Sequence, residues 1–143
     1  MNPSPQFSMR PTVTLDAALA AIEAVRREAQ REGVALGIVV VDDRGVVVAS
    51  ARMDGAQFVA LDLATAKAFT AAAFSAPSGA WSESSTPGGS DWGLLGSAGG
   101  QITPMAGGLP WMIDGALIGA VGASGAASSV DTACVERALG SLD

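Results

Sequence analysis

The stretch "ALGIVVVDDRGVVVASARMDG", residues 35–55, decides the fold. Two runs rich in Val and Ile flank Asp42-Asp43-Arg44-Gly45. β-Branched side chains suit a pleated surface, and an Asp/Gly cluster between two such runs suits a chain reversal. The pattern predicts a β-hairpin with strands near 35–41 and 46–52, ended by Asp54-Gly55. The first run is apolar without alternation, so its strand is expected to be covered on both faces.

Working outward, residues 15–32 carry Leu15, Ala18, Leu19, Ile22, Val25 and Ala29 at helical spacing. Thr14 is placed to cap this helix, Asp16 complements its dipole, Glu23 and Arg27 stand four apart, and Gly33 stops it. After the hairpin a second helix is predicted over about 58–76, closed by Pro77. Ala60, Leu63, Lys67, Thr70, Ala71 and Phe74 share one of its faces; Phe58, Asp62, Thr65, Phe69, Ala72 and Ala76 share the other. Both faces are largely apolar, so both should be covered: one by the sheet, the other by a helix, a subunit or a ligand. The segment "PSGAWSESSTPGGSDWGLLGSAGG" reads as a long irregular loop. In "GGLPWMIDGALIGAVGASG", Asp114-Gly115 signals a two-residue turn in a second hairpin, and a last helix follows from Ser128 or Ser129 to about Leu139. Two hairpins with helices before, between and after them predict an α+β sandwich on an antiparallel sheet.

The chain has 143 residues, 49% of them apolar and 15% charged, which suits one domain over 14–143 behind a flexible tail, 1–13. No apolar run reaches the ~18 residues of a membrane span, and the start lacks the apolar centre of a signal peptide. A net charge of −6 without a basic cluster argues against nucleic acid. One cysteine, Cys134, cannot form an internal disulfide and agrees with a reducing compartment, so a cytoplasmic protein is expected. The chain has no His and no Tyr. That removes Ser-His-Asp and Cys-His catalysis, His-ligated metals and an imidazole haem ligand. The aspartates fall mostly at turns and caps, so no metal site is expected.

Three residues carry the remaining chemistry. Lys67, the single lysine, stands on an apolar helix face. It could snorkel to water, pair with Asp54 or Asp43, or hold an anionic or carbonyl ligand as a base or Schiff-base nucleophile. Arg52 and Asp54 point to one side of their strand and Met53 to the other. An Arg fork can grip a carboxylate or phosphate, or close a structural pair with Asp54. Lys67, Arg52 and Asp54 are therefore the candidate catalytic set. A ligand pocket is expected between the second helix, the Gly-rich loop and the second hairpin, lined by Met53, Phe74, Trp81, Trp92 and Trp111 with Gly107 and Gly108. Cys134 reads as a small core residue.

"VVDDRGVVVASARMDGA", "ATAKAFTAAAF", "GGLPWMIDGALIGAVGASG" and Asp131 together resemble the GlcG/HbpS-like family, or haem-degrading domain family, which includes the C-terminal domain of PduO proteins. The resemblance runs over roughly residues 15–140. It implies a profilin-like sandwich with about five antiparallel strands, assembly from dimers up to octamers, and a small-molecule ligand. It puts Lys67 on the family's A-K-A motif. Haem enters as a cofactor by resemblance alone, since the chain offers no histidine for it; "SGAASSVD" replaces the family's SGG with following acidic residues. The expectation is a small-ligand-binding protein with an apolar, aromatic-lined pocket. The alternatives are a cofactor-independent lyase, isomerase or cyclase using Lys67, Arg52 and Asp54, and a structural assembly module.

Overall fold

The computed structural model describes residues 5–143; the first four residues of the expected tail lie outside the described residues. Helix α1 spans Leu15–Glu32, β1 Gly37–Asp42, β2 Val47–Arg52, α2 Ala60–Phe74, β3 Gly108–Ile113, β4 Ala116–Ser124 and α3 Ser128–Ser141. The strands form one antiparallel sheet in the order β2-β1-β4-β3. About five strands were expected and four are present among the described residues. The difference lies in residues 75–107, where Gly, Ser and Pro favour turns and three short 3₁₀ segments instead of a ladder.

Local chemistry explains the boundaries. The Thr14 hydroxyl accepts the Ala17 N–H at 3.1 Å, and Gly33, at φ 71°, donates to the Ala29 and Gln30 carbonyls. Asp114 and Gly115 both adopt positive φ, 50° and 79°, as a primed two-residue hairpin turn requires. The second helix is shorter at each end than its apolar pattern, leaving Phe58 87% exposed. Glu23 pairs with Arg26, three residues on, rather than with Arg27. The tail is anchored at its end, where the Val13 N–H donates to the Ile118 carbonyl at 2.9 Å.

Strand β1 lies inside the sheet, and its residues divide between two cores. Ile38 and Val40 pack with α1 and α3, while Val39 and Val41 pack with the alanines of α2. This double cover accounts for the unbroken apolar run. Helix α2 sits very close to the sheet because glycines face it. A Cβ on Gly37 would lie 2.8 Å from the Ala60 carbonyl carbon, and Cβ atoms on Gly122 and Gly108 would run into the Ala64 and Lys67 carbonyl oxygens.

Candidate functional site

Lys67 projects from α2 and is 1% exposed. Its ammonium donates to the Ala123 carbonyl and to Asp131 Oδ2, each at 3.1 Å. The partner is thus Asp131, not Asp54 or Asp43, and the lysine does not snorkel to water. Asp131 is also 1% exposed, and its Oδ1 accepts the Ala126 N–H at 3.0 Å. Burial pushes the Asp131 carboxyl above its ordinary value, against the Lys67 charge and the two hydrogen bonds that favour the anion. The ammonium needs room as well as a partner. A Cβ on Gly107, at φ 134°, would lie 2.8 Å from both Lys67 Cδ and Nζ. One pair therefore ties α2 to the end of β4 and the start of α3, beneath Gly107 and Gly108.

Arg52, Met53 and Asp54 do come together. They line a cavity of about 400 Å³ with Ile22, Arg26, Gln30, Ile38 and Ala51, between α1 and the β1–β2 hairpin. The Met53 backbone exchanges contacts with the strand beside it: its N–H donates to the Leu36 carbonyl at 2.9 Å, and its sulfur accepts the Leu36 N–H at 3.3 Å. That sulfur faces an apolar floor, while the Arg52 and Asp54 side chains stay exposed at the rim. Arg26 is held by Glu23 at 2.9 Å; among the described residues no carboxylate stands within ion-pair distance of Arg52. Lys67 does not line this cavity. The candidate catalytic set is divided, with its lysine across the sheet beside α2.

The aromatic residues also separate. Trp111 is buried in the core formed with α1 and α3, against which Met53 packs. Phe74 and Trp81 stack at the C-terminal end of α2, ring centroids 4.8 Å apart and tilted by 53°. Trp92 is 55% exposed on a 3₁₀ turn. No common wall joins these residues with Met53. The loop carrying Trp81 is pinned down: Ser78 Oγ donates to the Met105 carbonyl and accepts the Gly108 N–H, and Thr70 Oγ1 accepts the Thr103 N–H. The Trp81 indole N–H is buried and finds no hydrogen-bond partner among the described residues. Cys134 is fully buried, and burial pushes its thiol pKa up, so it is inert core.

Sequence reasoning missed Asp131 as the partner of Lys67, and Ile22, Arg26 and Gln30 as cavity residues. A signal for the latter existed: the three stand four apart, on one stripe of α1. Asp131 had a weaker one. A lone lysine in an alanine-rich helix requires a carboxylate, but nothing local names which.

Fold and site together define an α+β domain, among the described residues a four-stranded antiparallel sheet with three α-helices, carrying a small amphipathic cavity and a buried Lys–Asp pair. The chain belongs to the HbpS-like family: a sequence model of that family, described as haem degrading protein HbpS-like, matches residues 13–140. It is 34% identical over 139 residues to an uncharacterised 15.0 kDa protein of the dhaT-dhaS intergenic region of Citrobacter freundii, covering 97% of this chain and 96% of that one. The crystal structure of Klebsiella pneumoniae ORFY superposes with a TM-score of 0.92 at 30% identity, covering 97% of this chain and 96% of that one. The PduOC:haem complex superposes with a TM-score of 0.87 at 27% identity, covering 92% and 96%.

Proposed function

We propose that the protein binds a compact, partly apolar carboxylate in the cavity between α1 and the β1–β2 hairpin. The observation that carries this reading is the pairing of an Arg52 free of any carboxylate, among the described residues, with a floor of Ile22, Ile38, Ala51 and Met53. The volume, about 400 Å³, lies in the usual range for small-molecule sites. Arg52 supplies a bidentate fork for an anionic group, Arg26 and Gln30 flank it, and the apolar floor takes the rest of the molecule.

Haem is the group that the family description brings to mind, and the PduOC relative binds it. The residues lining this cavity do not fit an axially ligated haem. The chain holds no His or Tyr, Cys134 is fully buried in the core, and the Met53 sulfur already accepts the Leu36 N–H. The cavity suits an anion smaller than a haem. The reading extends to a cytoplasmic homo-oligomer that uses neither nucleic acid nor membrane as partner. Among the described residues no helix is long and apolar enough to cross a membrane.

Thermal-shift titration with aliphatic and aromatic carboxylates, run beside haemin, tests it. At least one carboxylate should raise the Tm saturably in the wild type and fail to do so in Arg52→Gln. A saturable, Soret-shifting haemin complex indifferent to Arg52→Gln, or no response to any carboxylate, would overturn the reading.

A further inference from the structure

We infer a second anion site, for a phosphate group, at the other end of the β1–β2 hairpin from the Arg52 cavity. Ser8, Arg10 and Thr12 of the segment before α1 face Asp43 and Arg44 of the β1–β2 turn across a concavity of about 530 Å³. The three tail residues stand two apart, and Met9 and Pro11 between them do not line it, as expected for chain near full extension. The turn side is held, and the tail is anchored just beyond Thr12. The tail is tied to β4 through the Val13 N–H and the Ile118 carbonyl. The turn is locked by Asp42 Oδ1, which accepts the Arg44 N–H at 2.9 Å and the Val46 N–H at 3.1 Å.

The charges make this basin unusual in the molecule. Among the described residues the ion pairs engage Arg26, Arg31, Lys67 and Arg137; of the four arginines left without a carboxylate at ion-pair distance, Arg10 and Arg44 share this basin. Two free guanidiniums share a concavity with one carboxylate, Asp43, giving a local excess of one positive charge in a chain of net −6. One carboxylate does not offset two guanidiniums, whereas a tetrahedral oxyanion in the basin would accept from both forks and from the Ser8 and Thr12 hydroxyls. Asp43 sets the selectivity: its charge repels a ligand anionic throughout, so the fit is one phosphate on an otherwise neutral body. The concavity has room for such a body beyond the phosphate itself.

Phosphorus NMR and calorimetric titration at fixed ionic strength, with inorganic phosphate and glycerol phosphate in parallel, test the proposal. Wild-type protein should bind at least one of them saturably with millimolar or tighter affinity, with chloride giving no response. Arg10→Gln and Arg44→Gln should each weaken binding roughly tenfold, while Arg27→Gln, an exposed α1 arginine away from the basin, leaves it unchanged. A preference for glycerol phosphate assigns a small phosphate ester as the ligand; equal binding assigns free phosphate. Binding that chloride abolishes at equal ionic strength, or that survives both basin variants, would overturn the site, and neither result touches Arg52.

Discussion

At the scale of single residues the Lys67–Asp131 pair dominates. Neither charge reaches water, so each is tolerable only because of the other. Lys67→Met keeps the side-chain volume but strands the Asp131 carboxyl, and should destabilise the fold by about 3–5 kcal/mol in urea unfolding. Adding Asp131→Asn to Lys67→Met removes the second charge and should recover most of that loss; a double variant as unstable as the single would show that packing, not charge, is at stake. The pH dependence follows from the raised carboxyl. Between the ordinary 3.8 and its raised folded value, the folded carboxyl keeps a proton that the unfolded one has released. Its contribution is therefore fully present below 3.8 and is lost as pH rises through the folded value. In Lys67→Met the burden of the stranded anion should accordingly shrink as pH falls towards 3.8, because protonation removes the charge the lysine used to meet.

At the scale of elements, the glycines of the sheet set how near α2 can come. A methyl on Gly122 would meet the Ala64 carbonyl oxygen and lie 2.8 Å from the Ala68 nitrogen, both backbone atoms of α2 that cannot rotate away. Gly122→Ala should then cost about 1–3 kcal/mol through overpacking. Gly140, inside α3 with nothing near its Cβ position, is the internal contrast: Gly140→Ala should gain about 0.5–1 kcal/mol from helix propensity alone. Equal effects of the two in denaturant unfolding would refute the close-packing account. These elements were largely legible in the sequence because their signals are local. Thr14 and Gly33 bracket α1, Asp114-Gly115 demands positive φ, and the apolar run of β1 announces two covers. The strand count was not legible, since whether residues 75–107 add a strand depends on partners no local pattern names. The site was legible in part. Arg52, Met53 and Asp54 share a cavity because they are consecutive, whereas Lys67 finds Asp131 across 64 residues of chain, a choice made by tertiary packing.

At the scale of the whole molecule the two faces of the sheet are unequally covered. One carries α1 and α3, the other only α2 and the loop pinned to it through Thr70. On that thinner side Phe58 is 87% exposed, Trp92 55% and Leu95 and Met105 43% each. Beside α2, Phe69 lines a hollow with Thr65, Ala66 and Gly100, edged by Asp62 and Gln101. Large apolar side chains left in water on one side of a small domain are what a subunit interface buries, at roughly 25 cal/mol per Å². The buried lysine, spent on Asp131, adds no charge to that face of α2, whose one exposed charge is Asp62 at the edge of the hollow. The expected outcome is a homo-oligomer, with a light-scattering mass at micromolar concentration that is a multiple of 14.2 kDa. Phe58→Ser with Trp92→Ser should lower that mass without lowering helix content by circular dichroism, because neither side chain belongs to the cores. A wild-type mass of one subunit would rule the assembly out. An unchanged oligomer in the double variant would instead move the interface to the α1 side, where Leu15 and Leu19 are also half exposed.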